Sequence, residues 1–128
     1  MPDRIVLDAS AVLALLKREP GADQVKAVLD QTDLCAVNAA EVQGKLIDAG
    51  LSRQAAEERL RFLGCSIIPF SEEQAIEAGS LISQTRSLGL SLGDRACLAL
   101  AIDRKAKVYT TDKAWKNLSL GIEIVVIR

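Results

Sequence analysis

The sequence contains no histidine, which removes every Ser-His-Asp or Cys-His triad and every His-ligated zinc site. Aromatic residues are almost as scarce. Phe62, Phe70, Tyr109 and Trp115 stand far apart, with none of the clustering that stacks bases on single-strand binding sheets. The three cysteines, Cys35, Cys65 and Cys97, are an odd number, widely spaced among apolar neighbours. They fit neither a disulfide framework nor a CxxC metal spacing, and are expected to be buried, reduced thiols. No apolar run is long enough to span a membrane; the longest lies around Ala11 to Leu16. The opening Met1-Pro2-Asp3-Arg4 shows no basic region leading into an apolar stretch, so a cytoplasmic protein with no membrane association is expected. Neither sign of charge dominates. A formal net charge of −1 gives no global field to draw in a polyanion, so nucleic-acid binding would have to rest on local basic patches.

What is present is an ordinary globular composition, 49% hydrophobic and 26% charged, in 128 residues, the length of one domain spanning the chain 1–128. Short β-rich runs alternate with helical ones. Strands are expected at Arg4–Leu7, Leu34–Val37, Ser66–Pro69, Lys107–Thr110 and Ile124–Ile127. Helices are expected over Ala11–Lys17 and Ala22–Gln31, from an N-cap at Asn38 to Gly50, from Ser52 to Leu63, from a Ser71–Gln74 capping box to about Ser87, and over Asp94–Lys105. Gly89–Gly93 reads as a loop and Ala114–Asn117 as a short helical turn. Strands separated by helices imply a parallel sheet covered on both faces.

In such sheets ligands bind beyond the carboxyl ends of the strands. Those positions are acidic here. Asp8 directly follows the first strand, Glu41 lies just after the second, Asp112 follows the fourth, and Asp94 opens a helix whose face continues through Cys97, Leu98 and Ala101. Each has a structural explanation of its own. Glu41 could complete a cap begun by Asn38 or pair with Lys45, Asp94 could cap back to Ser91, and Asp112 could be a turn residue. Asp8 is harder to explain that way, because a carboxylate between two apolar segments is costly to bury uncompensated. Taken jointly, four crowded carboxylates lift one another's pKa, and an all-oxygen cation such as Mg²⁺ or Mn²⁺ relieves the repulsion. Such an ion can polarise a phosphate and activate water without a protein base, which is the chemistry of phosphodiester hydrolysis. One ion or two are both compatible with the residues.

Leu7-Asp8-Ala9-Ser10, Asn38-Ala39-Ala40-Glu41, Leu92-Gly93-Asp94 and Thr110-Thr111-Asp112 resemble, in order and spacing, the four acidic motifs of PIN domains. The size resembles the VapC-type toxins of bacterial and archaeal toxin–antitoxin pairs. The resemblance implies a three-layer α/β/α PIN-like fold with a five-stranded parallel sheet in the order 3-2-1-4-5. It also implies a Mg²⁺- or Mn²⁺-dependent endoribonuclease neutralised by a cognate antitoxin. Asp8, Glu41, Asp94 and Asp112 would be catalytic metal ligands, with Ser10 and Thr110 bonding the carboxylates or the metal's waters; each hydroxyl could equally be a cap or strand filler. The stretch Gly93-Asp94-Arg95-Ala96-Cys97-Leu98 lacks the further acidic residue that some relatives carry one turn after Asp94, which leaves the metal count open. Lys45, Arg95, Lys113 and Lys116 are the basic candidates for RNA phosphate contact.

A homodimer is expected from the apolar Leu60, Phe62 and Leu63, and the family resemblance points the same way. Alternatives are a housekeeping PIN nuclease of RNA processing and a PIN-like module kept only for interaction, its carboxylates docking an arginine-bearing partner. A phosphoacceptor receiver domain would instead want an aspartate ending the third strand, where Ser66-Ile67-Ile68-Pro69-Phe70 has none.

Overall fold

Three consecutive apolar residues, Ile5, Val6 and Leu7, form a strand with both faces buried, and the rest of the molecule is arranged around it. The computed structural model describes residues 3–128, so Met1 and Pro2 of the stretch read for export signals lie outside the described residues. This strand, β1 (Ile5–Leu7), pairs in parallel with β2 (Thr32–Cys35) on one side and β4 (Lys107–Thr110) on the other. β3 (Ser66–Ile68) and β5 (Ile124–Val126) add to the edges, also in parallel, giving the expected order 3-2-1-4-5. Leu7 stands opposite Leu34 and Tyr109, so the strands adjoining β1 end together at one edge.

Alternation along the strands divides the core between the two faces. Ile5, Leu7 and Leu34 pack with Val12 of α1 (Ala9–Leu16), Val25 of α2 (Ala22–Lys26), Val42 and Leu46 of α3 (Ala36–Asp48) and Ala56 of α4 (Arg53–Arg61). Val6, Cys35 and Val108 pack on the other face with Ala78 of α5 (Glu72–Ser80), Trp115 and α7 (Leu92–Arg104); the short α6 (Ile82–Thr85) links α5 to α7. All six residues from Ala96 to Ala101 are buried, because α7 lies between the sheet and α5 and shows little of itself to water. It runs against the strands, placing Asp94 at their carboxyl edge and Arg104 at the opposite one. No helix among the described residues is long and apolar enough to cross a membrane. The cysteines are free, Cys35 and Cys97 buried and Cys65 half-buried.

Several boundaries differ from the sequence expectation, each for a physical reason. β2 starts at Thr32, two residues early, and includes a fully buried aspartate that hydropathy reads as loop. Asp33 is compensated there by Arg4 (Nη2–Oδ1, 2.6 Å) and Arg104 (Nη1–Oδ2, 3.1 Å). Helix α3 consequently begins at Ala36, and Asn38 lies inside its first turn instead of capping it. Helix α1 begins at Ala9 with Asp8 as N-cap, and α7 begins at Leu92 with Ser91 as N-cap. The helix expected to reach Ser87 breaks after Ser80. The hydroxyls of Ser80 and Thr85 bond the carbonyls four residues back, which loosens the helical ladder locally. The Ser52 and Ser71 caps form as expected.

Candidate active site

At the carboxyl edge, Asp8 is the best-held carboxylate. It is 4% exposed and sits where β1 turns into α1. Its Oδ1 accepts from the Ser10 hydroxyl (2.7 Å) and the Ala11 amide (2.8 Å), and its Oδ2 from the Thr110 hydroxyl (2.6 Å). Both hydroxyl protons are thereby spent on Asp8, so the 3.4 Å approach of Ser10 to Thr110 carries no further bond. The same hydroxyls accept from the next loop, Ser10 from the Thr111 amide and Thr110 from the Asp112 amide, both at 3.0 Å. Ser10 is therefore no helix cap, and Thr110 is no strand filler. Despite three donors, burial pushes Asp8 up to about 6, against the pull of those bonds, and the charge of Asp94 adds to the push.

Glu41, exposed on α3, accepts from Asn38 Nδ2 (2.8 Å), and the same amide group donates to the Gly93 carbonyl at the start of α7 (3.0 Å). Its carboxylate lies over Gly93, where a Cβ would come within 2.6 Å of Glu41 Cδ and Oε1. A side chain at this position would push the Glu41 carboxylate out of its place. Asp94 forms the capping box its spacing suggested, accepting from the Ser91 amide (2.9 Å) while Ser91 Oγ accepts from the Asp94 amide (3.1 Å). Its charge nonetheless reaches Asp8. Beneath these groups the buried Cys97 thiol is raised well above its ordinary value by burial and then by Asp8, Cys35, Asp94 and Glu41, so the fields of three of the carboxylates overlap at one point.

Asp112 is more loosely attached. It is exposed, caps the 3₁₀ turn Lys113–Asn117 through the Ala114 amide (2.9 Å), and joins the others through its own amide on Thr110. Among the described residues no three acidic or thiol side chains are close enough to enclose a metal by themselves. The donor set is all oxygen and lacks histidine, and Asp8 is left under-compensated. Both features fit a hard cation that keeps several of its waters and takes only one or two protein carboxylates directly.

Lys45, one turn after Glu41 on α3, and Lys113 and Lys116, on the turn after Asp112, are exposed near these carboxylates. Arg95 differs from expectation. Its Nη1 donates to the Ala78 carbonyl of α5 (2.9 Å) and its Nε is buried without a partner, so packing between α5 and α7 has claimed it. Two residues escaped the sequence reading. Asn38 was obscured by its resemblance to a cap, although its three-residue spacing from Glu41 also puts both on one helical face; Gly93 gave no signal that a side chain packs against it.

The model of the PIN domain family matches residues 5–120. The chain belongs to the PIN domain family. No curated protein matches the sequence. Solved structures of similar fold include a toxin–antitoxin complex from Klebsiella pneumoniae, with TM-score 0.74 and 20% identity over 97% of this PIN domain and 98% of that chain. VapBC2 of Rickettsia felis, bound to a promoter DNA fragment, gives 0.72 and 16% over 94% and 96%. VapBC-5 of Mycobacterium tuberculosis gives 0.68 and 21% over 97% and 98%. At these identities the likeness to this PIN domain is one of fold.

Proposed function

We propose that this PIN domain is a metal-dependent endoribonuclease that hydrolyses RNA phosphodiester bonds, and that it is the VapC-type toxin of a toxin–antitoxin pair. The observation that carries the reading is Asp8, a carboxylate buried at the end of β1, held in place by three donors and pushed up by burial and by the charge of Asp94. Carboxylates buried in this way cluster at functional sites, which supports the reading. Asp8, Glu41, Asp94 and Asp112 would hold Mg²⁺ or Mn²⁺, directly or through its waters. The chemistry such a cation supplies when bound is polarisation of the phosphate and activation of water.

The chain's own residues bind and orient. Ser10 and Thr110 fix the Asp8 carboxylate in one rotamer, and through the Thr111 and Asp112 amides they set the loop that carries Asp112. Exposed Lys45, Lys113 and Lys116 would meet phosphates flanking the scissile bond. The similarity of fold to toxin–antitoxin complexes supports a cognate antitoxin as partner, and a homodimer is proposed from exposed apolar surface. Of the apolar residues named for self-association, Leu63 is buried and Leu60 packs on the core, leaving Phe62, 85% exposed, as the contact.

The test is cleavage of a labelled RNA pool by purified protein with Mn²⁺, with chelator, and by Asp94→Asn. Cleavage that requires Mn²⁺ and falls at least a hundredfold in the variant is expected. Metal-independent cleavage, or equal activity in the variant, would remove the carboxylates from the chemistry.

A further inference from the structure

Asn38 is 1% exposed, lies within a helix and caps nothing. Its amide has only one workable orientation. Both groups it faces, Glu41 Oε1 and the Gly93 carbonyl, are acceptors, so the NH₂ must point to them, and a reversed amide would set oxygen against oxygen twice. The remaining oxygen, Oδ1, is buried without a hydrogen-bond partner. A buried amide with an unsatisfied acceptor is costly, so replacing it with an apolar residue would remove that penalty if Asn38 served packing alone.

What the amide gains is control over Glu41. That side chain is otherwise exposed and free to turn, yet here it is held against the first turn of α7, one residue from Asp94, over a glycine that leaves it room. Resting on the nuclease reading above, we propose that Asn38 is a positioning residue. It locks Glu41 onto Gly93 so that the carboxylate's free oxygen is presented, directly or through a bound water, to a divalent cation at the edge that also carries Asp8 and Asp94. The clamp joins α3 to α7 at the point where the acidic groups converge, and Glu41 would enter the site with its rotamer already chosen.

Residues that orient a metal ligand contribute roughly 10- to 100-fold to metal affinity. Mn²⁺ binding, followed without RNA by loss of the free-ion electron paramagnetic resonance signal, measures this directly. Asn38→Ala and Asn38→Asp should weaken Mn²⁺ binding about 10- to 100-fold, toward the level of Glu41→Gln. The Asn38→Ala/Glu41→Gln double variant should bind no more weakly than Glu41→Gln alone, because the amide acts only through that carboxylate. Gly93→Ala would displace the same carboxylate directly, leaves Asn38 intact, and should show the same weakening.

Melts in chelator report whether each variant folds, and Gly93→Ala decides the question should both Asn38 variants fail to do so. Wild-type Mn²⁺ affinity in folded Asn38→Ala, or in folded Gly93→Ala, overturns the proposal while leaving the nuclease reading standing if Asp8→Asn still abolishes binding. Additive losses in the double variant overturn it as well. Absence of Mn²⁺ binding by the wild-type protein would overturn both.

Discussion

Replacing Asp8 by asparagine removes one negative charge and almost nothing else. The asparagine Oδ1 can accept from Ser10 and from the Ala11 amide as Asp8 does, and asparagine is as good an N-cap as aspartate. Its Nδ2 would donate to Thr110 Oγ1, which must then turn its own proton elsewhere, at a cost of about 1 kcal/mol. Against that stands the charge. Asp8 is raised from 3.8 to about 6, chiefly by burial, and each pH unit of such a displacement is worth about 1.4 kcal/mol, about 3 kcal/mol in all.

The folded protein holds the proton more tightly than the unfolded chain does. The stability linked to Asp8 is therefore fully present below about pH 4 and is lost as the pH rises through about 6. In metal-free buffer at pH 8, Asp8→Asn should be about 2 kcal/mol more stable than wild type, roughly 8 °C in melting temperature for a chain of this length. The advantage should shrink as pH falls from 6 and be gone near pH 4. Saturating Mn²⁺ should reverse the order, since an ion at a hundredfold its dissociation constant adds about 2.7 kcal/mol to a protein that binds it. Paired melts of both proteins from pH 4 to 8, with chelator or with Mn²⁺, provide the measurement. A variant that is less stable at every pH, or an advantage that does not vary with pH, would refute the account of a strained charge and make Asp8 an ordinary helix cap.

Other consequences can be checked on the same preparations. Asp33→Ala strands Arg4 and Arg104 at the opposite edge of the sheet. Because both arginines are about a third exposed, the loss should be held to roughly 2 kcal/mol in a urea titration, with Mn²⁺ affinity unchanged. A change below 0.5 kcal/mol, about the level of an ordinary surface substitution, would mean that the ion triad adds nothing. Phe62→Glu should leave stability within about 0.5 kcal/mol of wild type while abolishing self-association in light scattering. A wild-type protein that is monomeric at micromolar concentration would end the homodimer reading.

The parallel sheet followed from the strand–helix alternation, because strands are marked by apolar runs, whereas the strand order came only with the resemblance of the four acidic motifs to PIN domains. Legibility failed where polar residues sit inside elements. Asp33 reads as a break in an apolar pattern, yet two arginines distant in sequence make it a strand residue, and no local window contains them. That error displaced the start of α3 and turned Asn38 into a supposed cap. Arg95 was a candidate for phosphate contact as a basic residue near the site mouth, but adjacent residues on a helix point about 100° apart, and on its own side Arg95 meets the Ala78 carbonyl. The Ser91–Asp94 capping box shows the opposite case, in which a local rule held and says nothing about the residue's second use.

The bond between Thr110 and Asp8 closes a loop of 102 residues. Contacts of such separation are the costliest in chain entropy and tend to form late in folding. On a ribosome, where chains lengthen by about 5–20 residues each second, Asp8 would be synthesised several seconds before the strand that supplies Thr110. Throughout that interval the carboxylate lacks both its hydroxyl clamp and the loop bearing Asp112, so a nascent chain cannot present the finished acidic edge. The burial and pKa of Asp8 are thus properties acquired only once β4 has been made and docked.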